Sequence, residues 1–478
     1  MTRTRAGCAA ALLGGLLAAP AGTVWAQGVP GRAVSPLTPD ALLLSVDRAL
    51  PVLEQARQEV ARARGEVLET QGAFDLKIKA EALTSRGYYD NDRMKSQLEQ
   101  PFAPLGLTTY GGYRAGRGLF APYDSKAQTL ADGEFMAGIG LPLLRNRAID
   151  GRRADRRVAD LGVGVAERGL DKVRLAYFKE ALAEYWDWVA AGQQQRIARD
   201  LLAIAEARDQ QLVDAVALGQ VAPVERIDNR RAILQRRSAL VSAGRQVELK
   251  AIDVSLFLRG PMGEPVRPAP DNLPGLPRPS LAEPEPDEAT EIRIALERRP
   301  DLQAIRLKRQ QQEVDLQVVQ NGILPAVDLF SEVSRDYGSG PDSRRGTTLE
   351  AGVTFELPFQ RRKATGKSLQ VQAKLSGLAQ ELRWAEDQVR ADVQDALSAL
   401  RAARAVLEVV TEEVAVAREL EALERDRFDL GDSTQFLVNL RELASADAAL
   451  REARALADYQ KALVSVSSAT GRLLDRVP

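Results

Sequence analysis

Between Phe359 and Val477 the chain runs for 119 residues without a single proline. Because proline is the strongest breaker of a helix interior, a run of this length that is rich in Ala, Leu, Glu and Arg predicts very long helices. The predicted break lies at residues 430–434. There Gly431 can end one helix, and Asp432 or Ser433 can cap the next. The stretch is therefore expected to fold into one long helical hairpin.

Apolar residues of this hairpin recur every seven positions on both arms. Such a seam packs helices knobs-into-holes, so it predicts a coiled coil rather than a compact core. The seam residues are Leu400, Leu407 and Val414 on the first arm and Leu443, Leu450, Ala457 and Val464 on the second.

The two arms of the hairpin differ in length. The first, Gly366 to Leu430, would be about 98 Å long, whereas the second, Ser433 to Thr470, would be about 57 Å. A further helical pattern from Ile292 to Asn321, about 45 Å, is the right size to cover the remainder. Two shorter helices stacked end to end are thus expected to lie along one long helix.

The first half of the chain has the same design. A long arm from Arg152 to Leu218, about 100 Å, is matched by Pro223 to Gly260 together with Ala41 to Gly72, about 57 and 48 Å. Two coiled-coil hairpins could share these breaks in the helices by chance. The sequence separations between equivalent residues of the two halves are nearly constant, however, and this favours an internal duplication. The separations are 216 residues from Leu141 to Leu357, 212 from Gly219 to Gly431 and 211 from Gly260 to Gly471.

The N-terminus, residues 1–26, has the character of a cleaved secretory signal. Arg3 and Arg5 precede an apolar run, and a small-residue site follows it, so the mature chain is expected to be exported. The only cysteine, Cys8, comes before the apolar run rather than after it, and this order does not favour lipidation. With 65 basic and 66 acidic residues, no basic excess points to a nucleic-acid partner.

The composition excludes most catalytic chemistry. Histidine is absent, which removes His-dependent triads, the usual zinc ligands and the commonest general base. No phosphate-binding glycine loop is present in the right context. We therefore predict no enzyme activity, no metal site and no cofactor.

Two segments before the long arms, residues 74–144 and 324–358, alternate apolar and polar side chains as strands do. One interpretation is a small soluble sheet with one solvent-exposed face. The other is a set of outer-membrane strands with a lipid face and a lumen face, because no apolar run after residue 26 reaches the length of a membrane helix. About four strands per chain cannot close a barrel of at least eight, so that barrel would be shared between subunits.

The predicted organisation has four parts. A connector with nine prolines between Pro261 and Pro286 separates the halves and is too proline-rich for regular structure. The parts are the signal peptide 1–26; a first repeat 27–260 with strands in 74–144 and a hairpin at 152–260; the connector 261–288; and a second repeat 289–478 with strands in 324–358 and a hairpin at 360–471.

The order of these features, present twice, resembles that of the TolC-like outer-membrane efflux proteins over nearly the whole mature chain. No single motif is specific, but the set is. It comprises the strand-to-helix junctions Leu141–Arg145 and Leu357–Phe359, the helix tips Leu218–Gly219 and Leu430–Gly431, the alanine ladder Leu440–Tyr459 and the terminal Leu463–Gly471.

The resemblance implies a homotrimer in the outer membrane. Its fold would be mainly α, with long antiparallel coiled-coil hairpins forming a periplasmic tunnel. Four strands per chain would contribute to a twelve-stranded transmembrane β-barrel. The tunnel would meet an inner-membrane pump of the RND or ABC type through a periplasmic adaptor (membrane fusion) protein.

The resemblance also places two kinds of functional residue near the helix tips. In the family's best-known member rings of aspartate narrow this end, but the aligned positions here are Val438 and Arg441. The candidate gate is therefore an Arg-to-carboxylate latch between repeats, formed by Glu225, Asp228 and Arg441; the alternative is that these are ordinary solvated helix charges. The expected adaptor contacts are Leu218, Gly219, Gln220, Leu430, Gly431, Asp432 and Ser433.

Two functions follow as hypotheses. The first is a passive outer-membrane exit duct of a tripartite efflux or type I secretion system. The second is a non-channel periplasmic coiled-coil adaptor or scaffold, which would need no membrane strands.

Overall fold

Long helices dominate the computed structural model, which describes residues 36–280 and 284–477. The predicted signal peptide and Cys8 lie outside these residues. The helices form two hairpins, and in each a long arm of about 100 Å returns through a shorter one. No helix in the described residues is long and apolar enough to cross a membrane. The arms are α3 (Gly151–Ala217) and α4 (Pro223–Ser255), then α7 (Arg362–Asp429) and α8 (Gln435–Ala469).

Shorter helices cover the parts of the long arms that α4 and α8 leave bare. We expected one helix at each of 41–72 and 292–321, but both segments are split. Leu50 and Arg299 are extended because the following prolines, Pro51 and Pro300, disfavour helical backbone before them and begin the next helix. The resulting helices are α1 (Pro39–Ala49), α2 (Pro51–Gln71), α5 (Glu288–Arg298) and α6 (Pro300–Asn321).

The main apolar cluster lies where α1, α3, α4 and the C-terminus meet. Phe178, Tyr185 and Trp188 are fully buried there, and each buried side chain of this size contributes about 1.5–3 kcal/mol. The Tyr185 hydroxyl donates to the Leu37 carbonyl at 2.8 Å, and burial raises the pKa of Tyr185 to about 12. Leu273 of the proline-rich segment packs over Gly192 and closes this cluster.

The predicted coiled-coil seam is present on the first arm of the second hairpin, where Leu400, Leu407 and Val414 are buried. On the second arm the prediction was wrong near the tip, since Leu443 is 44% exposed. In that region α8 instead turns Val438 and Glu442 inward. A polar residue therefore occupies the packed face of the helix.

The strands form one antiparallel sheet in the order β1-β2-β3-β4-β5-β6. We expected about four strands, so this count was wrong. The additional pair, β2 and β3, lies between β1 and β4 within the predicted strand segment 74–144. The strands are β1 (Lys77–Ser85), β2 (Asn91–Pro101), β3 (Thr108–Gly118), β4 (Glu134–Pro142), β5 (Ala326–Asp336) and β6 (Thr347–Glu356).

Candidate functional sites in the helical tips and the sheet

The two hairpin tips have the same backbone geometry. Gly219 and Gly431 adopt the left-handed conformation, with φ of 74° and 79°. In each tip the glycine N–H donates to a helix carbonyl, from Gly219 to Val216 at 3.0 Å and from Gly431 to Phe428 at 2.9 Å. Only glycine takes this backbone conformation without strain, which explains why both helices end here.

The tips are open to solvent in the single chain. Leu218 is 72% exposed and Leu430 is 85% exposed. A Cβ placed on either Gly219 or Gly431 would meet no atom within 4 Å. Two exposed leucines beside bare backbone are a surface that a partner could cover, and the adaptor role of residues 218–220 and 430–433 stays a prediction.

The second helix cap differs from the one predicted. Thr434, rather than Asp432 or Ser433, caps α8, and its hydroxyl accepts from the Leu437 N–H at 3.4 Å. Asp432 pairs with Arg427, and Ser433 donates to the Glu424 carboxylate at 2.5 Å. Both residues therefore brace the turn instead of starting the helix.

The candidate gate residues are not joined within one chain. The Arg441 Nε lies 3.7 Å from an oxygen of Glu424, which belongs to the same hairpin and is buried. Among the described residues no ion pair connects Arg441 to Glu225 or Asp228. Those two carboxylates line a groove between α4 and α8 instead. Their role in a gate stays a prediction.

Behind the tips, all four hairpin helices meet at the carboxylate of Glu442, which is 1% exposed. Arg236 of α4 donates to it at 2.9 Å, and Arg425 of α7 donates at 3.2 Å. Arg208 of α3 holds both carboxylate oxygens. One side chain of α8 thus ties the first hairpin to the second.

The charge state of this junction follows from its surroundings. Burial alone would raise the pKa of Glu442, but hydrogen bonds and charge from Arg208 and Arg236 outweigh it and hold the pKa below its ordinary value. Glu442 is therefore ionised at neutral pH. The sequence analysis missed this site. A single glutamate on an alanine-rich helix cannot be recognised as a buried junction before its arginine partners on three other helices are known.

The arrangement offers no evident chemistry beyond packing and charge. In residues 36–280 and 284–477, no cluster of acidic or cysteine side chains is arranged to hold a metal ion. The Glu442 carboxylate is already occupied by three guanidinium groups. We therefore regard it as a structural junction between the hairpins.

The sheet at the other end of the helices has two unlike faces. The pairing register places exposed or half-buried apolar side chains of all six strands on one face. A contiguous exposed apolar surface of this kind marks contact with a partner or a membrane. It comprises Ile78, Ala80 and Ala82; Met94 and Leu98; Tyr113 and Ala115; Phe135, Ala137 and Ile139; Leu329 and Val333; and Leu349, Ala351, Val353 and Phe355.

The opposite face is charged and hydrogen-bonded. Lys79 pairs with Glu99, and Arg114 pairs with Glu134. The apolar and charged faces alternate residue by residue along each strand, as the sequence pattern of β1 and β6 predicted.

Both edges of the sheet are open. Along β1 all nine residues are exposed, and β6 is exposed at every position but one. Neither strand has a second neighbour within the described chain. Long unpaired edge strands are templates for pairing with another chain.

Comparison with known proteins agrees with this architecture. Residues 292–472 match the model of the outer membrane efflux protein family. No curated protein sequence matches the chain significantly.

Several solved structures share the fold. A membrane protein from Pseudomonas aeruginosa is 15% identical with a TM-score of 0.59, covering 95% of this chain and 98% of that one. The MtrE outer membrane channel of Neisseria gonorrhoeae, in its open state, is 15% identical with a TM-score of 0.62, covering 91% and 88%. The CmeC outer membrane channel of Campylobacter jejuni is 15% identical with a TM-score of 0.58, covering 95% and 93%. The resemblance drawn from the sequence is therefore confirmed: the second half of the chain matches the outer membrane efflux protein family, and the fold of the whole is that of TolC-like outer-membrane channels.

Proposed function

We propose that three copies of this chain form an outer-membrane exit duct for a tripartite efflux or type I secretion system. The observation that carries the proposal is the apolar face of the sheet, backed by a charged face. In a bilayer the apolar face would meet lipid and the charged face would line a water-filled lumen. A soluble scaffold would leave the same apolar face exposed to water.

Lipid also forbids unpaired backbone groups, so the edges β1 and β6 must find partners. Pairing β1 of one copy with β6 of the next satisfies both edges. Because each chain supplies an even number of strands, the closed sheet remains antiparallel throughout. The repeated β1–β6 pairing then generates a ring of identical chains.

The helices carry a second surface that fits a neighbouring copy. On α4 the apolar residues Ile227, Leu234 and Val241 are 60–73% exposed and stand 8, 15 and 22 residues after Gly219. On α7 a matching set is 54–67% exposed and stands 8, 15 and 22 residues before Gly431, namely Leu423, Val416 and Val409.

These two stripes lie at equal depths from the tips and share the seven-residue spacing of a coiled-coil seam. They belong to the two helices on opposite sides of the chain, since α3 and α8 lie between them. Packing α4 of one copy against α7 of the next would bury both stripes layer by layer. The helices would then close into a tunnel beneath the strands.

At the far end, the solvent-exposed tips are where we place the periplasmic adaptor. The adaptor would join the tunnel to an inner-membrane pump of the RND or ABC type. Leu218 and Leu430 supply apolar contact, and the glycines beside them leave the turn backbone accessible.

The test begins with the mature protein extracted from outer-membrane fractions. Its mass in detergent should be that of three chains, and it should insert into planar lipid bilayers and conduct ions. Cells expressing it with a cognate pump and adaptor should lose a fluorescent efflux substrate faster than cells lacking it. A water-soluble monomer would contradict the proposal and favour the periplasmic scaffold instead.

A further inference from the structure

We infer that the additional hairpin β2–β3 spans the membrane in the assembled duct, so that the closed sheet contains eighteen strands rather than twelve. The inference rests on the proposed trimeric duct and concerns how wide its outer-membrane part is. The alternative is that β2–β3 lies outside the bilayer while β1 pairs directly with β4.

The apolar face continues across the hairpin, with the small polar residue Ser96 between Met94 and Leu98 on β2. Met94 and Leu98 of β2 are 50% and 46% exposed, and the register places them beside Ala82 and Ile78 of β1. On β3, Ala115 and Tyr113 continue the apolar face. A hairpin standing in water gains nothing from an exposed apolar face, whereas lipid-facing strands require one.

Strand length agrees with a membrane span. β2 and β3 each contain 11 residues, as does β5, whereas β1 and β4 contain 9. Membrane strands need about 9–11 residues. The hairpin strands are therefore two residues longer than β1 and β4, the strands on either side, and long enough to span a membrane.

Contacts on the charged face lock β3 into its place beside β4 and β5. The Tyr110 ring of β3 lies over Gly138 of β4, where a Cβ would come within 2.5 Å of the ring. Beyond that glycine, the Tyr110 hydroxyl donates to Glu332 of β5 at 2.9 Å. Direct pairing of β1 with β4 would break this three-strand contact.

Glycine also fits β3 to β2. A Cβ at Gly112 would lie 2.4 Å from the Ser96 carbonyl oxygen, so the close approach of these strands requires glycine there. This fit shows why β3 can be rich in glycine and still be a strand in the middle of the sheet.

The chain edges remain complementary with six strands per copy. On the lumen face β1 begins with Lys77 and Lys79, whereas β6 carries Glu350 and ends at Glu356. The start of β1 and the end of β6 lie at the same rim of the sheet, because neighbouring strands alternate in direction. Pairing β1 with β6 of the next copy therefore brings Lys77 and Lys79 near Glu356, whereas Glu350 lies six residues away along β6.

The consequence is a wider duct. At equal strand tilt the diameter of a closed sheet grows about linearly with the number of strands, so eighteen strands give a diameter about one and a half times that of twelve. The outer-membrane part would then admit bulkier solutes than a twelve-stranded duct.

Paired cysteines in the full-length trimer test the strand order. Ala80→Cys with Ser96→Cys joins positions that are opposite each other on β1 and β2. The matched pair, Ala80→Cys with Ala137→Cys, would be about 16 Å apart, because it spans three strand spacings and two residues along the strand. We expect a short thiol cross-linker to join the first pair and not the second. The reverse result would overturn the inference, because it places β1 next to β4.

A third pair separates this inference from the proposed function. Ala80→Cys with Ala351→Cys should link neighbouring copies into a covalent trimer whether the sheet has twelve or eighteen strands. Failure of this cross-link together with a monomeric mass would count against the duct itself. Covalent trimers that lack the Ala80–Ser96 link would count only against the additional strands.

Lipid contact gives an independent readout. A tryptophan at Ser96 faces the apolar side of β2, and one at the next residue, Gln97, faces the lumen. In vesicles with brominated acyl chains, the fluorescence that Ser96→Trp adds to that of the native tryptophans should be quenched several-fold more than the fluorescence that Gln97→Trp adds. Equal, weak quenching of both would place the hairpin outside the bilayer and refute the inference.

Discussion

Arg236 of α4 donates a hydrogen bond to Glu442 of α8 at 2.9 Å, and this contact joins the two hairpins behind their tips. Arg236 is 4% exposed and Glu442 is 1% exposed, so the pair is shielded from water. Arg208 and Arg425 contact the same carboxylate. If one hairpin moves relative to the other, these ion pairs must therefore either move with it or break.

Removing the Glu442 carboxylate should therefore be costly. Glu442→Ala leaves Arg208 and Arg236 without their counter-charge, whereas Arg425 keeps Glu421, and breaking a buried ion pair in this way costs about 3–5 kcal/mol. We expect a lower midpoint of thermal unfolding, measured by helix circular dichroism. Glu419→Ala, which removes an exposed carboxylate of α7, is the control and should change the midpoint little. An unchanged midpoint for Glu442→Ala would show that the junction contributes no stability.

The junction also predicts a pH dependence. The arginines hold the pKa of Glu442 in the folded chain below its ordinary value of 4.5. Its contribution to stability is therefore complete above pH 4.5 and is lost as the pH falls toward the lowered folded pKa. Unfolding midpoints measured from pH 7 to pH 3 should fall less steeply below pH 4.5 in Glu442→Gln than in the wild type. Parallel curves would contradict this assignment.

The exposed stripes of α4 and α7 predict how copies associate. Leu234 and Val416 are 60% and 57% exposed in the single chain, so charging either should leave the helices folded and weaken the trimer. We expect Leu234→Glu to reduce the trimeric fraction in detergent at least tenfold. The neighbouring Gln235→Glu adds the same charge off the stripe and serves as the control.

A second substitution tests whether the two stripes meet. Adding Val416→Lys to Leu234→Glu should restore part of the trimer, because the two positions occupy one layer of the proposed seam. If the double variant is as monomeric as Leu234→Glu alone, the layers do not face each other.

Much of the fold could be predicted from the sequence because its signals are local. Helix length follows from the long runs without proline, and helix ends follow from the glycines at 219 and 431. The seven-residue spacing of apolar residues indicates how the helices pack, and each of these signals involves only a few turns of helix. The extra strands were missed because β3 contains Gly111, Gly112, Gly116 and Gly118, which local propensity counts against a strand. Gly112 makes sense only beside Ser96, Gly116 beside Ala127 and Gly118 beside Asp90, and these contacts form only when the chain has folded.

The functional sites were predictable to different degrees. The tips could be located because a glycine with positive φ ends a helix in a recognisable way. The partners of Arg441 could not, because Glu424 reaches it only after α7 and α8 pack. Glu442 was missed for the same reason.

The last prediction separates the two roles of the tip glycines. Asparagine tolerates the left-handed backbone of Gly219 and Gly431 better than other residues with a Cβ, and a Cβ there meets nothing within 4 Å. The double variant Gly219→Asn, Gly431→Asn should therefore keep its fold and trimeric mass. If the bare turn backbone is where an adaptor binds, export of a fluorescent substrate should nevertheless fall at least tenfold. Gly366→Asn, near the opposite end of α7, adds the same side chain where a Cβ also meets nothing within 4 Å, so it is the control and should leave export unchanged. Normal export by the double variant, with the trimer intact, would show that these glycines serve only to turn the chain.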